Sequence, residues 1–460
     1  MKPYNEPGLE RQVVTTIRMG GTMPVYNLVS FCGLFVLMFL AWLFSANRRL
    51  LNVRCIVWGV ALQLVLAFLV FYAPYSTRIF LWLNDLVVEV LSSATAGQKF
   101  LFGPLAAAPG ETGPEGQASI GFILAIQALP VIIFFAALMG LLYYCGIMQR
   151  IIRAFAWLFT TLMRISGAES LCAASNIFVG IESTTAVRPY LAKMTRSEFC
   201  TILTAGMATV ASSTLGLYVL FLKDVFPTIA GHLISASILS APAAIVMSKI
   251  LVPEDGQPAT LGRDIKLQYE RDSGAIESII NGAMAGVKLV VGICALLIAF
   301  LGMLAVVDLL LGWLGTATGV IDTGKVQSPL STLMGYVMAP MAIVIGIPPV
   351  DAVSAGSMLG QRLIATEIPA YIALADALKD GSLTHPRSAV IVAYALCGFA
   401  HIASLAIFVG GVSALVPERR RDLAGVAVRS LLAATLACLM VGAVAGTFYH
   451  AGSFALQVSR

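Results

Sequence analysis

AESLCAASNIFVGIESTTAVRPYL, residues 168–191, is apolar enough to enter a bilayer, yet it carries Glu169, Asn176, Glu182 and Arg188 and makes a poor simple span. Arg164 precedes it, and Arg188, Lys193 and Arg196 close it. Basic residues collect on the cytoplasmic side of membrane proteins, so both ends lie on one face, as a re-entrant hairpin requires. A second stretch of the same kind is VDAVSAGSMLGQRLIATEIPAYIALADAL, residues 350–378, with a buried-looking acid, Glu367, and with Gly360 and Pro369 as its expected helix breakers. Its flanks are poor in Lys and Arg, which suits entry from the external side.

Working outward, the 460 residues are 58% apolar and only 12% charged, about half the charge of a soluble protein. The charges gather in clusters between apolar runs of about twenty residues, long enough to cross a bilayer as helices. A secreted disulfide scaffold, a nucleic-acid module and an ordinary cytosolic enzyme are excluded, and an outer-membrane barrel is disfavoured because its strands would alternate apolar and polar. The net charge of +5 reads as Lys and Arg kept on the cytoplasmic side. The eight cysteines show neither CxxC pairing nor metal spacing, so neither a disulfide nor a metal centre is expected. Residues 1–22 lack the early apolar core of a signal peptide.

Spans are expected near residues 23–46, 55–75, 120–145, 199–221, 232–252, 286–314, 389–412 and 426–448. Between the second and third, the pattern within 76–95 reads as an amphipathic helix at the interface, followed by a Gly/Pro-rich loop over 103–116. Pro130 should kink the third span. The stretch 329–349, broken by Gly335, Pro340, Gly346 and Pro348-Pro349, reads as an interfacial or broken helix. From an external N-terminus, this count places the loop arginine clusters inside. The fold class is therefore an all-α polytopic membrane protein of about eight transmembrane helices with two re-entrant helical hairpins. A polar hairpin followed by two spans occurs twice, once from each side, which is the sequence shape of an inverted repeat with a substrate site at the midplane. The organisation is 1–118, N-terminal peripheral helices; 119–252, third span, first hairpin and spans four and five; 253–285, cytoplasmic linker; 286–460, span six, second hairpin and spans seven and eight.

A carboxylate at mid-bilayer costs about 2.5 to 3.5 kcal/mol on insertion scales, and groups kept at that cost are usually functional. Glu182 and Glu367 stand at the centres of the two hairpins; the structural alternative gives them protein partners such as Arg188 or Arg362. GMATVASSTLG (206–216) and CGFAHIAS (397–404) put small and hydroxylated residues in the middle of spans four and seven, so these spans should be broken. Small residues there also serve close packing, and Thr209, Ser212, Ser213 and Ser404 can satisfy their hydroxyls on the preceding turn. His401 lies near the centre of its span, where a proton-linked role is open to it. No Walker loop, HExxH, nucleophile elbow or dinucleotide-binding glycine pattern occurs, which argues against an ATP-driven motor. These groups suit a cavity for a polar solute and a cation. An intramembrane enzyme using Glu182, His401 or Glu367 in acid–base work is the alternative from another class, and a passive channel or sensor a third.

The stretches AWLFSANRR (41–49), VWGVALQ (57–63), GFILAIQALPVIIFFAALMGLLYYCGIMQ (121–149), AASNIFVG (173–180), VRPYLAKMTRSE (187–198) and ALCGFAHIASLAIFVGG (395–411) together resemble the concentrative nucleoside transporter family. The resemblance implies a homotrimer of eight-span protomers in the cell (inner) membrane, in contact with lipid, that imports nucleosides with sodium or a proton and needs no cofactor. It implies cation binding at Asn176, Val179 and Thr209, ribose binding at Glu367 and Ser404, and an aromatic beside the base at Phe399. The chain departs from the family pattern in the first hairpin, where Gly180-Ile181-Glu182-Ser183-Thr184-Thr185 replaces Gly-Gln-Thr-Glu-Ala-Pro. It departs again where Thr366-Glu367 replaces Asn-Glu and His401 replaces a ribose-binding Asn. The substrate-binding candidates are Glu182, Ser183, Thr366, Glu367, Phe399, His401 and Ser404, and the departures open a different nucleoside preference or proton coupling, another small polar solute included.

Overall fold

A computed structural model describes residues 23–72, 74–107, 119, 121–263, 265, 272–318 and 329–450, with the backbone alone for 23–24, 74–80, 181–182 and 317–318. The first 22 residues, most of the 103–116 loop and the side chain of Glu182 therefore lie outside the described part. Among the described residues the chain is helical throughout, without a named strand, and seven helices are long and apolar enough to cross a membrane. It is an all-α polytopic membrane protein.

The stretch around Pro130 differs from the expected kinked span. A π-turn, Leu124–Ala128, hands over to the helix Pro130–Tyr144, so the proline occupies the first helical position, where its missing N–H costs nothing. The sixth span is far longer than its apolar run: a single helix, Ala275–Thr318, of 44 residues. Residues 329–349 do not form a broken helix either. Pro329–Val344 is continuous through Pro340, and the interruption falls only after Val344.

The two hairpins leave and return. The first starts at Ser166, which caps the helix Gly167–Asn176 in a reciprocal box with Glu169, and Thr195 caps the next helix, Arg196–Ala208, with Glu198 in the same way. Both are the S/T-x-x-E signature that satisfies orphan backbone donors at a helix start. The boxes interlock, because the Ser166 hydroxyl donates to Glu198 at 2.5 Å. Buried Lys249 then ties Glu169 (2.9 Å) to Glu254 (3.3 Å). In the second hairpin the helices are Ala352–Ile364 and Glu367–Lys379. Its base is Asp351, which accepts from the N–H (3.0 Å) and hydroxyl (2.6 Å) of Thr384, the N–H of His385 (3.1 Å) and the hydroxyl of Ser388 (2.5 Å). Neither Gly360 nor Pro369 breaks this hairpin. The break is Ala365–Thr366: Gly360 lies inside a continuous helix, where a Cβ would stand 2.6 Å from Met334 and the glycine serves close packing, and Pro369 lies in the first turn of its helix.

The 29-residue helix Arg420–Phe448 spans about 43 Å at 1.5 Å per residue and shows where the two bases lie. Arg419, just before it, donates to the carbonyl of Ala192 at the end of the first hairpin. Gly446, near its far end, accepts from Arg387, which opens the helix following the second hairpin. The first helix repeats the measurement: Ser30 meets Arg387, whereas the N–H of Ala46 meets Leu251, two residues from Lys249. The hairpin bases thus sit at opposite ends of the same helices.

Candidate functional site

Four interruptions converge in the middle. The fourth span breaks between Arg196–Ala208 and Ser212–Leu222, and the seventh between Pro386–Leu396 and Ile402–Leu415. The two breaks touch. At Gly398 (φ +147°) a Cβ would stand 2.7 Å from the carbonyl of Ala208, so only glycine permits this approach. The tip of the first hairpin joins them, its Phe178 carbonyl accepting from the N–H of Ser212 (3.0 Å) and its Ile177 carbonyl from Ser237 (2.8 Å).

A cavity of about 430 Å³ lies between the hairpin tips, the two breaks and the glycine-bearing face of Ala275–Thr318, within the usual range for small-molecule sites. Val179, Thr366, Glu367, Phe399, His401 and Ser404 line it. Glu367 is buried at the first position of its helix, where the positive end of the macrodipole favours a carboxylate. Tyr218 donates to its Oε1 at 2.8 Å, and His401 Nε2 lies 3.2 Å from its Oε2. His401 is itself the cap of Ile402–Leu415, its Nδ1 accepting from the N–H of Ser404 at 3.2 Å. With Nδ1 accepting, the proton of a neutral imidazole sits on Nε2, on the side of the carboxylate, without completing a hydrogen bond to Oε2.

Asn176, Thr209 and Ser183 are not among the residues that line the cavity. Asn176 ends the first hairpin helix, fully buried; its amide nitrogen donates to the Cys172 carbonyl (3.0 Å), and its Oδ1 has no partner. Thr209 is the last residue before the break in span four, and its hydroxyl donates to Ala205 at 2.9 Å, leaving the oxygen free to accept a cation. The Ser183 hydroxyl is buried 3.6 Å from Cys172 Sγ. Glu182 lies in the short turn Ile181–Val187. Two residues were missed by sequence reasoning. Tyr218 and Tyr371 stack at 4.4 Å between ring centres, and Tyr371 donates to the Ala393 carbonyl at 3.1 Å, tying the second hairpin to both broken spans. Arg362, a candidate partner for Glu367, instead donates to the carbonyl of Ala395.

Two opposed hairpins, two broken spans and an acid in the cavity between them define a membrane transporter of the broken-helix class. Family models agree region by region: "Na+ dependent nucleoside transporter N-terminus" over 32–105, "Nucleoside recognition" over 125–225 and "Na+ dependent nucleoside transporter C-terminus" over 232–446. The chain is 36% identical to the uncharacterized transporter YutK of Bacillus subtilis, over 89% of this chain and 96% of that one. It is 35% identical to solute carrier family 28 member 3 of Mus musculus, over 91% of this chain but only 58% of that longer protein. The solved structure of CNTnw in an inward-facing substrate-bound state superposes with a TM-score of 0.82 at 32% identity, over 93% of this chain and 99% of that one. The chain belongs to the concentrative nucleoside transporter family, whose members are cation-coupled carriers of nucleosides.

Proposed function

We propose that this chain is a sodium-coupled symporter that brings nucleosides inward across the cell (inner) membrane as a homotrimer. One observation carries the reading: a carboxylate at a hairpin tip, buried, facing a cavity, held by the Tyr218 hydroxyl from one broken span and in contact with His401 from the other. In this reading Glu367 and Ser404 take the ribose hydroxyls, Phe399 flanks the base, and His401 and Thr366 complete the pocket. Ser183 and Glu182 form its first-hairpin edge. Sodium sits on Asn176, the Val179 carbonyl and Thr209, supported by the unpaired Oδ1 of Asn176, since buried acceptors rarely go unmet without a ligand. Sodium is favoured over a proton because the family models that match this chain describe Na+ dependent nucleoside transporters.

The organisation proposed is the inverted repeat, 119–252 against 286–460, with 1–118 peripheral and 253–285 linking the halves. The exposed apolar face of Ala275–Thr318, with Ile298 at 78% and Trp313 at 67%, supports a place for this helix against lipid or neighbouring protomers. The test is uptake of a nucleoside panel by proteoliposomes under imposed sodium and proton gradients in turn. Accumulation of an unmodified nucleoside above its external concentration, driven by sodium alone, is expected. Uptake that equilibrates without accumulation under either gradient, or conversion of the solute, would overturn it.

A further inference from the structure

Arg362 is the bulkiest fully buried side chain, only 1% exposed, in the last turn of Ala352–Ile364. A buried guanidinium is costly unless paired, yet among the described residues no carboxylate pairs with it. Its Nη1 donates to the carbonyl of Ala395 at 2.6 Å, the thiol of Cys438 is within hydrogen-bonding reach, and its Nε has no partner. Ala395 belongs to the last turn of Pro386–Leu396. There the chain unwinds at Cys397, and the final carbonyls lose their intrahelical donors. A fixed positive charge therefore rests on the negative end of a half-helix in the membrane interior.

The first half has the same construction without the charge. The last turn of its hairpin helix, Gly167–Asn176, packs against the half-helix Arg196–Ala208, which unwinds at Thr209. The hairpin contributes Asn176 there, with an unpaired oxygen. At this place one half brings an amide oxygen, and the other a cationic side chain.

We propose that Arg362 is a resident cation at the second half's counterpart of the sodium position, so that the carrier couples one mobile cation, not two, to each solute. The inference rests on the symporter reading above. It makes Arg362 a positioning and stoichiometry-setting residue. The guanidinium supplies the charge that Glu367 and the freed carbonyls of Pro386–Leu396 would otherwise draw from solution.

The test measures parallel fluxes of radiolabelled sodium and uridine, or adenosine where uridine is not carried, in proteoliposomes at clamped voltage. The wild type should move about one sodium per nucleoside with a Hill coefficient of about one for sodium. Arg362→Lys, which keeps the charge, should keep that ratio. Arg362→Gln should raise both values toward about two, a change that loss of packing alone would not produce. A wild-type ratio of two overturns the inference even where Arg362→Gln does not fold, as does an Arg362→Gln ratio still at one. No sodium-driven uptake of any nucleoside by the wild type would instead bring down the symporter reading itself.

Discussion

The two hairpins enter from opposite ends of the same long helices and meet the burial problem differently. In the second, the protein supplies the partners: Tyr218 and His401 for Glu367, four hydrogen-bond donors for Asp351, and the Ala395 carbonyl for Arg362. In the first, Asn176 Oδ1 and the hydroxyls of Ser170 and Ser175 are buried and unpaired; in the second, Thr366 Oγ1 and Arg362 Nε are unpaired too, and Glu367 Oε2 has only the His401 contact. An unmet buried polar group costs about 1–3 kcal/mol. What separates the two hairpins is thus the kind of group each brings to the middle: a neutral amide oxygen from the first, a carboxylate and a guanidinium from the second.

The strongest way to break this comparison is Glu367→Gln. The change keeps shape but removes the charge that two donors address, and charge-assisted hydrogen bonds contribute about 1.5–3 kcal/mol each. Nucleoside uptake should fall by about a hundredfold or more with expression unchanged, while the half-saturating sodium concentration of any residual uptake stays near its original value. Asn176→Ala should do the reverse. Half-saturating sodium should rise by about tenfold, with the maximal rate at high sodium reduced far less. Sodium-dependent uptake by proteoliposomes reads both quantities, and an exchange of the two phenotypes would invalidate the division of labour between the hairpins.

Much of this arrangement was legible because polar residues inside apolar runs are costly and so conspicuous. Glu367, the breaks in spans four and seven, and the paired hairpins all announce themselves in that way. Break positions were harder. Gly360 and Pro369 are typical breakers, but a glycine can serve close packing, as Gly360 does against Met334, and a proline is tolerated in a first turn. The break fell at Ala365–Thr366, where local sequence gives little sign. Tyr218 was illegible for a different reason: within LGLYVLFL it reads as core, and only the fold brings its hydroxyl to an acid 149 residues away. The partner of Arg362 was equally hidden, being a backbone carbonyl freed by an unwinding 33 residues later.

A smaller effect tests the place where the halves touch. In Gly398→Ala the new methyl would meet the Ala208 carbonyl and the Cys438 sulfur, each at 2.7 Å, on a backbone that disfavours any side chain. Destabilisation of about 1–3 kcal/mol is expected, read as a lower melting temperature in detergent. Gly410→Ala supplies the control, since nothing lies within 4 Å of that position and its helical site favours alanine by about 0.5–1 kcal/mol. Equal melting temperatures for the two variants would mean that the breaks are not in such close contact.

The smallest effect concerns the base of the second hairpin. Burial pushes the Asp351 carboxyl up, but the hydroxyls of Ser388 and Thr384 and the N–H groups of Thr384 and His385 outweigh it and hold the group below the ordinary carboxylate range. A carboxyl depressed by folding contributes stability that is present above its unfolded value, about 3.9. That contribution disappears as pH falls through the lower folded value. The base should therefore hold unchanged from about pH 8 to 5 and loosen only in stronger acid. In Asp351→Asn the acid limb of the melting profile should flatten, with a loss of about 1 kcal/mol at neutral pH. A loss of stability that sets in already above about pH 5, or an acid limb unchanged in Asp351→Asn, would show that this carboxylate is not the controlling group.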